Sequence, residues 1–176
     1  MQSPFENDFF ELFSLDRSFS IDLVTLRERF QELQKKFHPD NFASAGEQDR
    51  RLSAQYASLI NEAYNTLRDP VLRGRYMLSL LGVSTDEEHD TSMDPGFLMQ
   101  QIELREQLEI AQSNLEALAK LADDVAVEYS KRVQKIAEIL DQPNNSELDT
   151  ARHLVRELQF LNRMRSEIEE AEETFF

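Results

Sequence analysis

His38-Pro39-Asp40 joins a titratable imidazole to a carboxylate two residues on, the pairing that general acid–base catalysis uses. A catalytic role would also need a nucleophile or further ligand converging on it, and the sequence offers none. The other two histidines, His89 and His153, lie in a polar stretch and in the last helical pattern, so a three-histidine metal site would have to gather distant segments. Glu103, Glu106 and Glu109 place carboxylates on one helix, as di-metal bundles do. Such bundles pair Glu with a His three residues further on, and none of these three has that partner. The chain has no cysteine, which excludes a thiolate metal site, a disulfide and a cysteine nucleophile. No catalytic residue, metal or cofactor is therefore expected. The tripeptide reads instead as a stiff, charged, hydrogen-bonding knot for another protein to grasp.

The flanking pattern supports that reading. Upstream, Leu23, Leu26, Phe30, Leu33 and Phe37 recur at helical spacing; downstream, Tyr56, Leu59, Ile60, Ala63, Tyr64 and Leu67 do the same. Pro39 fixes its own φ and pushes His38 out of the α region, so the first helix should stop near Phe37. Two amphipathic helices thus form a hairpin with the tripeptide at its tip. A short helix is expected over Asp8–Leu15, and Asp22 can cap the helix that ends at Phe37. Residues 41–49 read as loop, and the next helix covers 50–68. Asp69-Pro70 starts a fourth helix to Leu81, with Gly82 as terminator. Residues 83–94 are polar and aperiodic, a linker. Asp94-Pro95 repeats the start signal, and helices follow over 95–112, 115–140 and 146–172, an antiparallel three-helix bundle. The expectation is an all-α protein with an N-terminal domain over 1–82, a linker over 83–94 and a bundle over 95–176.

Charge separates the two parts. Residues 1–82 carry 12 acidic and 10 basic residues, whereas 83–176 carry 22 acidic and 9 basic, so nearly all of the net −15 sits in the second part. Neither has the basic stripe that nucleic acid requires. The first residues lack a basic region followed by an apolar run, and no stretch approaches the ~20 apolar residues of a membrane span. A soluble, cytoplasmic protein with no nucleic-acid or membrane partner is expected. Within residues 23–37, Arg27, Arg29, Lys35 and Lys36 outnumber Glu28 and Glu32, a local basic surplus that can steer an acidic partner surface.

FQELQKKFHPDNF followed by LINEAYNTLRDPVLRGRY resembles a J-domain over residues 8–81, the module by which J-proteins engage a DnaK-type ATPase chaperone. The resemblance implies that His38, Pro39 and Asp40 trigger ATP hydrolysis in that partner and that the basic face of the preceding helix docks on it. Arg27 and Lys36 match basic positions of the family. Gln31 and Glu32 stand where many members are basic, and Asn41 replaces the lysine that commonly follows the tripeptide.

The helix from Pro95 raises a separate question. At 100° per residue, Phe97, Leu104, Leu108 and Ala111 form one stripe, yet Leu98, Met99 and Ile102 are displaced from it by roughly 80–220°. Glu103, Glu106 and Glu109 are interspersed with them. In the last helix, Ala151, Leu154, Leu158, Leu161, Met164 and Ile168 form the stripe, and Phe160 lies about 120° from its centre. A second apolar face edged by carboxylates is what a protein-binding site needs. PGFLMQQIELREQLE and RELQFLNRMRSEIEE resemble the C-terminal domain of the HscB family, J-proteins dedicated to iron–sulfur cluster biogenesis. That resemblance implies two partners, an HscA-type ATPase chaperone and an IscU-type cluster scaffold. Leu98, Met99 and Phe160 match the family's apolar scaffold contacts, Glu103 and Glu106 match acidic ones, and Ile102 replaces a leucine. Ile110 stands where another acidic contact is expected. The lack of cysteine departs from the eukaryotic form with its N-terminal zinc module and implies the bacterial type. The alternatives are a general J-protein with another client and, in a different class, a helical-bundle enzyme using histidine and carboxylates.

Overall fold

The computed structural model describes residues 8–42, 46–85 and 95–176. All regular structure among the described residues is helical, as the sequence leads one to expect: α1 (Phe9–Leu12), α2 (Leu23–Lys36), a 3-10 turn (Pro39–Phe42), α3 (Glu47–Arg68), α4 (Pro70–Leu80), α5 (Pro95–Ala111), α6 (Leu115–Leu140) and α7 (Leu148–Glu173). The chain divides into two compact units, Met1–Tyr76 and Met77–Phe176. The division falls inside α4, whereas the polarity of 83–94 places it in that stretch, of which residues 86–94 lie outside the described residues.

Helix ends follow local chemistry. The Asp22 side chain accepts from the Val24 and Thr25 amides, and its carboxyl is held below the usual range first by the Thr25 hydroxyl and then by the Val24 N–H. Asp69 accepts from the Leu72 amide at 2.9 Å to start α4, and Asn114 accepts from the Glu116 and Ala117 amides to start α6. Gly82, with φ +76°, ends the run after α4 and lets the Val83 amide reach the Leu78 carbonyl at 2.9 Å. The helix α3 begins at Glu47, earlier than the expected Arg50. Glu47 and Asp49 in its first turn complement the positive end of the helix dipole.

In the first unit, Phe10, Phe13, Phe19, Leu26, Ile60, Ala63, Leu67 and Val71 are buried. Leu26, at the expected stripe position of α2, is fully buried, but Leu23 is about half exposed. Two aromatic pairs hold α2 against α3: Phe30 stacks on Tyr64 with centroids 4.0 Å apart, and Phe37 tilts against Tyr56 at 4.7 Å. Phe9 stacks on Tyr76 at 4.4 Å and donates its backbone N–H to the phenolic oxygen, while burial pushes the phenol pKa up. The buried Arg73 donates to the Leu67 carbonyl at 2.6 Å and covers the Phe19 ring.

In the second unit, α5, α6 and α7 share a core that includes Leu104, Leu108, Ala111, Leu118, Leu121, Val125, Leu161, Met164 and Ile168. The buried residues of α7 are Leu148, Ala151, Val155, Leu158, Leu161, Met164 and Ile168. Val155 is buried where a fixed stripe selects Leu154, which is half-buried. These spacings average less than 3.6, so the apolar seam drifts around the helix as in a left-handed supercoil. A straight 100° projection ignores that drift.

Candidate functional site

The tip of the α2–α3 hairpin is rigidly framed. α2 gives out at Phe37, and Pro39–Phe42 forms the 3-10 turn. The Asp40 N–H lies 3.3 Å from His38 Nδ1, and the Asp40 carboxylate lies 3.5 Å from the same nitrogen. Both side chains are exposed. Two further side chains fix the turn. Asn41 donates from its amide to the Lys35 carbonyl at 2.7 Å, and the buried Ser53 of α3 donates to the Phe37 carbonyl at 3.0 Å. Carbonyls orphaned at the end of α2 are satisfied in this way. The sequence flagged Asn41 only as a lost lysine and did not flag Ser53; their polar positions on either side of the tripeptide were the available signal. Ser53→Ala leaves the Phe37 carbonyl without this donor, and an unsatisfied buried acceptor costs about 1–3 kcal/mol. Urea unfolding of the variant, followed by circular dichroism, is expected to show that loss.

The basic surplus of α2 does not form one face. Arg27 and Lys36 are nine residues apart, which places them about 180° from each other around the helix. Arg29 is paired with Glu32 at 3.3 Å, and the Lys36 ammonium lies 5.4 Å from the Phe37 ring centre. On the other flank, Gln31, Gln34, Lys35, His38, Asn41 and Asn61 line an open groove of about 700 Å³. Gln34 donates to Asn61 across the hairpin at 3.3 Å. Arg27 lies on this flank, within about 80° of Gln31, Gln34 and Lys35. The tripeptide is therefore continuous with a polar groove lined by Lys35; Arg27 lies on the same side of α2, about one turn before Gln31, and Lys36 stands behind.

The second surface is the outer side of α5. Phe97, Leu104, Leu108 and Ala111 are buried, so their helix faces the core along one line. On the opposite side, Leu98 is 47% exposed, Met99 60%, Ile102 46% and Ile110 79%. Glu103, Glu106 and Glu109 are exposed among them, with Glu106 near the middle of the face. Phe160 is not free in the same way. It is half-buried, meets Phe97 edge-to-face at 5.7 Å and carries the Arg105 guanidinium over its ring at 5.9 Å. Arg105 is seven residues from Leu98 and stands on the same line of α5, so Phe160 borders the edge of the patch on which Leu98 lies. Truncating an exposed Leu or Met costs the free protein little, and burying it against a partner removes apolar area worth about 25 cal/mol per Å². Ile110 extends the apolar strip where an acidic residue was expected.

Among the described residues no group of three His, Cys, Asp or Glu side chains is placed to hold a metal ion; His89 lies outside them. His153 pairs with Asp149 of its own helix at 3.4 Å. No helix of the described residues is long and apolar enough to cross a membrane.

Residues 93–169 match the family model described as the HSCB C-terminal oligomerisation domain. The chain is 44% identical over 170 residues to the co-chaperone protein HscB homolog of Photobacterium profundum, covering 95% of this chain and 98% of that protein. It is 42% identical to the homolog of Paraburkholderia phymatum, over 90% of each. Its fold superposes on the chaperone HscB of Vibrio cholerae with a TM-score of 0.86 at 38% identity, covering 97% of this chain and 100% of the other. Human co-chaperone HscB gives the same TM-score at 28% identity, over 93% and 81% of the two chains. This likeness over nearly the full length shows that the chain belongs to the HscB family of co-chaperones, proteins that act with a partner chaperone and are not themselves enzymes.

Proposed function

We propose that this co-chaperone serves iron–sulfur cluster assembly in the cytoplasm by binding an IscU-type scaffold and stimulating the ATPase of an HscA-type chaperone. Residues 1–82 dock on the chaperone, residues 83–94 connect, and residues 95–176 hold the scaffold. His38, Pro39 and Asp40 supply the triggering contact, with Arg27 beside them and Lys36 on the opposite flank. Leu98, Met99, Ile102 and Phe160 supply apolar anchors, and Glu103 and Glu106 supply carboxylates that pair with basic groups of the scaffold. The single observation that carries this reading is the exposed Leu98–Met99–Ile102 face on a helix whose other side is already buried. A protein seldom leaves such a face uncovered without a partner for it.

The co-chaperone performs no bond chemistry. Docking favours the chaperone conformation in which ATP is cleaved, and the shift equals the difference in affinity for the two conformations. The co-chaperone also carries the scaffold to the chaperone and raises its effective concentration there, which adds a coupling beyond the separate effects of the two. Steady-state ATP turnover by the chaperone should therefore rise more with co-chaperone and scaffold together than the product of their separate effects. Stimulation that is the same with and without scaffold would assign the chain to a general J-protein with another client.

A further inference from the structure

A polar layer interrupts the bundle core. On α6, Val125 and Ile139 are buried, and Arg132 lies midway, seven residues from each, at the same inward-facing position of the heptad. Its side chain is only 14% exposed. The guanidinium bonds to all three of α5, α6 and α7. Nε donates to Glu157 of α7 at 3.1 Å, Nη2 donates to Gln100 of α5 at 2.9 Å, and Nη1 meets the Glu128 carboxylate on its own helix. Hydrogen bonding from Lys131 first, and then from Arg132, keeps the Glu128 carboxyl below its usual range. An arginine at a core position is costly unless its donors are satisfied, and here the planar fork distributes them over three partners.

Gln100 is the informative partner. It sits in the first turns of α5, between Met99 and Ile102. The apolar core cluster takes α5 residues from Leu104 onward. The turns before it, which bear Leu98, Met99 and Ile102, rest on Phe97 against Phe160 and on Gln100 against Arg132. We infer that Arg132 is a positioning residue for client binding: through Gln100 it pins the first turns of α5 to α6 and α7 and so fixes the pose of the exposed apolar face. This inference rests on the assignment of that face to the scaffold. Arg132 does not touch the client; it sets how much ordering the face must undergo when a client binds.

The test uses the full-length protein and purified IscU-type scaffold, titrated calorimetrically. Arg132→Met and Gln100→Met each remove the bond without removing bulk. Each is expected to weaken scaffold binding by about tenfold, the scale of one charge-assisted hydrogen bond. The double variant is expected to be no weaker than the weaker single variant, because both remove one linkage. Arg132→Lys, which keeps the charge but cannot reach three helices, is expected to bind nearly as poorly as Arg132→Met. Hydrogen exchange at amides 98–103 should quicken in both single variants while that of α6 stays slow. Wild-type affinity in Gln100→Met, additive losses in the double variant, or full rescue by Arg132→Lys would each overturn the inference. Gln100→Met keeps the test intact should Arg132→Met fail to fold. Loss of binding in Leu98→Ala/Met99→Ala with none in Gln100→Met overturns the positioning role alone; retained binding in all of them overturns the assignment of the face as well.

Discussion

Asp40→Asn is expected to leave the protein folded and to reduce stimulation of the HscA-type ATPase to the basal rate. The substitution is nearly isosteric. The Asp40 side chain is exposed, and its contact with the exposed His38 ring is local. The turn itself is held by groups the substitution does not touch: the Asn41 amide on the Lys35 carbonyl, the Ser53 hydroxyl on the Phe37 carbonyl, and the Asn41 N–H on the His38 carbonyl. What disappears is one formal charge at a rigid tip. A carboxylate that becomes desolvated against the chaperone gains charge-assisted hydrogen bonds of about 1.5–3 kcal/mol each, and a neutral amide gains less. If those bonds form only in the ATP-cleaving conformation, their loss falls entirely on stimulation. His38→Gln should behave alike, since it removes the imidazole ring from the tip. Single-turnover ATP hydrolysis by the chaperone, with circular dichroism of the variants as control, measures the effect. Undiminished stimulation by folded Asp40→Asn would show that the tip is not the trigger.

The polar frame around the tripeptide gives the tip its use. Binding through a floppy loop would lose much of its contact energy to ordering; here the ordering has already occurred in folding. The groove flank adds direction. Arg27 and Lys35 stand on the side that carries Gln31, Gln34 and Asn61, whereas Arg29 is neutralised locally by Glu32. Under the proposed function, an acidic partner surface would be drawn toward that side of the hairpin.

Much of the fold was legible because its signals are local. Asp22, Asp69-Pro70 and Gly82 mark helix ends by side-chain hydrogen bonds or by a positive φ, which depend on few neighbours. Apolar periodicity located Leu26, Ile60, Ala63 and Leu67, and it separated the buried and exposed faces of α5. The misses needed three dimensions. Leu154 was chosen over Val155 because a fixed projection ignores supercoil drift. Phe160 fell off its stripe, yet it is half-buried, because Phe97 of another helix approaches from that side. Arg132 escaped notice because a charged residue reads as solvated by default; its spacing of seven from Val125 and Ile139 was the available signal.

Truncating the α5 face should have the second large effect. Leu98→Ala/Met99→Ala/Phe160→Ala is expected to weaken scaffold binding by about 100-fold, the equivalent of roughly 2.7 kcal/mol. Apolar anchors at the centre of an interface each contribute about 1–2 kcal/mol, and their losses do not add fully. The three positions are unequal in the free protein. Leu98 and Met99 are exposed, so their removal costs the bundle little, and their loss reports on binding alone. Phe160→Ala also deletes the edge-to-face partner of Phe97 and the ring under Arg105, so part of its effect is on the bundle. The double variant Leu98→Ala/Met99→Ala is therefore the cleaner measurement and should lose about tenfold. Stimulation of the chaperone by either variant in the absence of scaffold should remain at the wild-type level, because the tripeptide and its frame lie on α2, α3 and the turn between them. Retained stimulation with lost scaffold synergy would separate the trigger from client choice. Unaltered scaffold affinity in the triple variant would place the client on some other face.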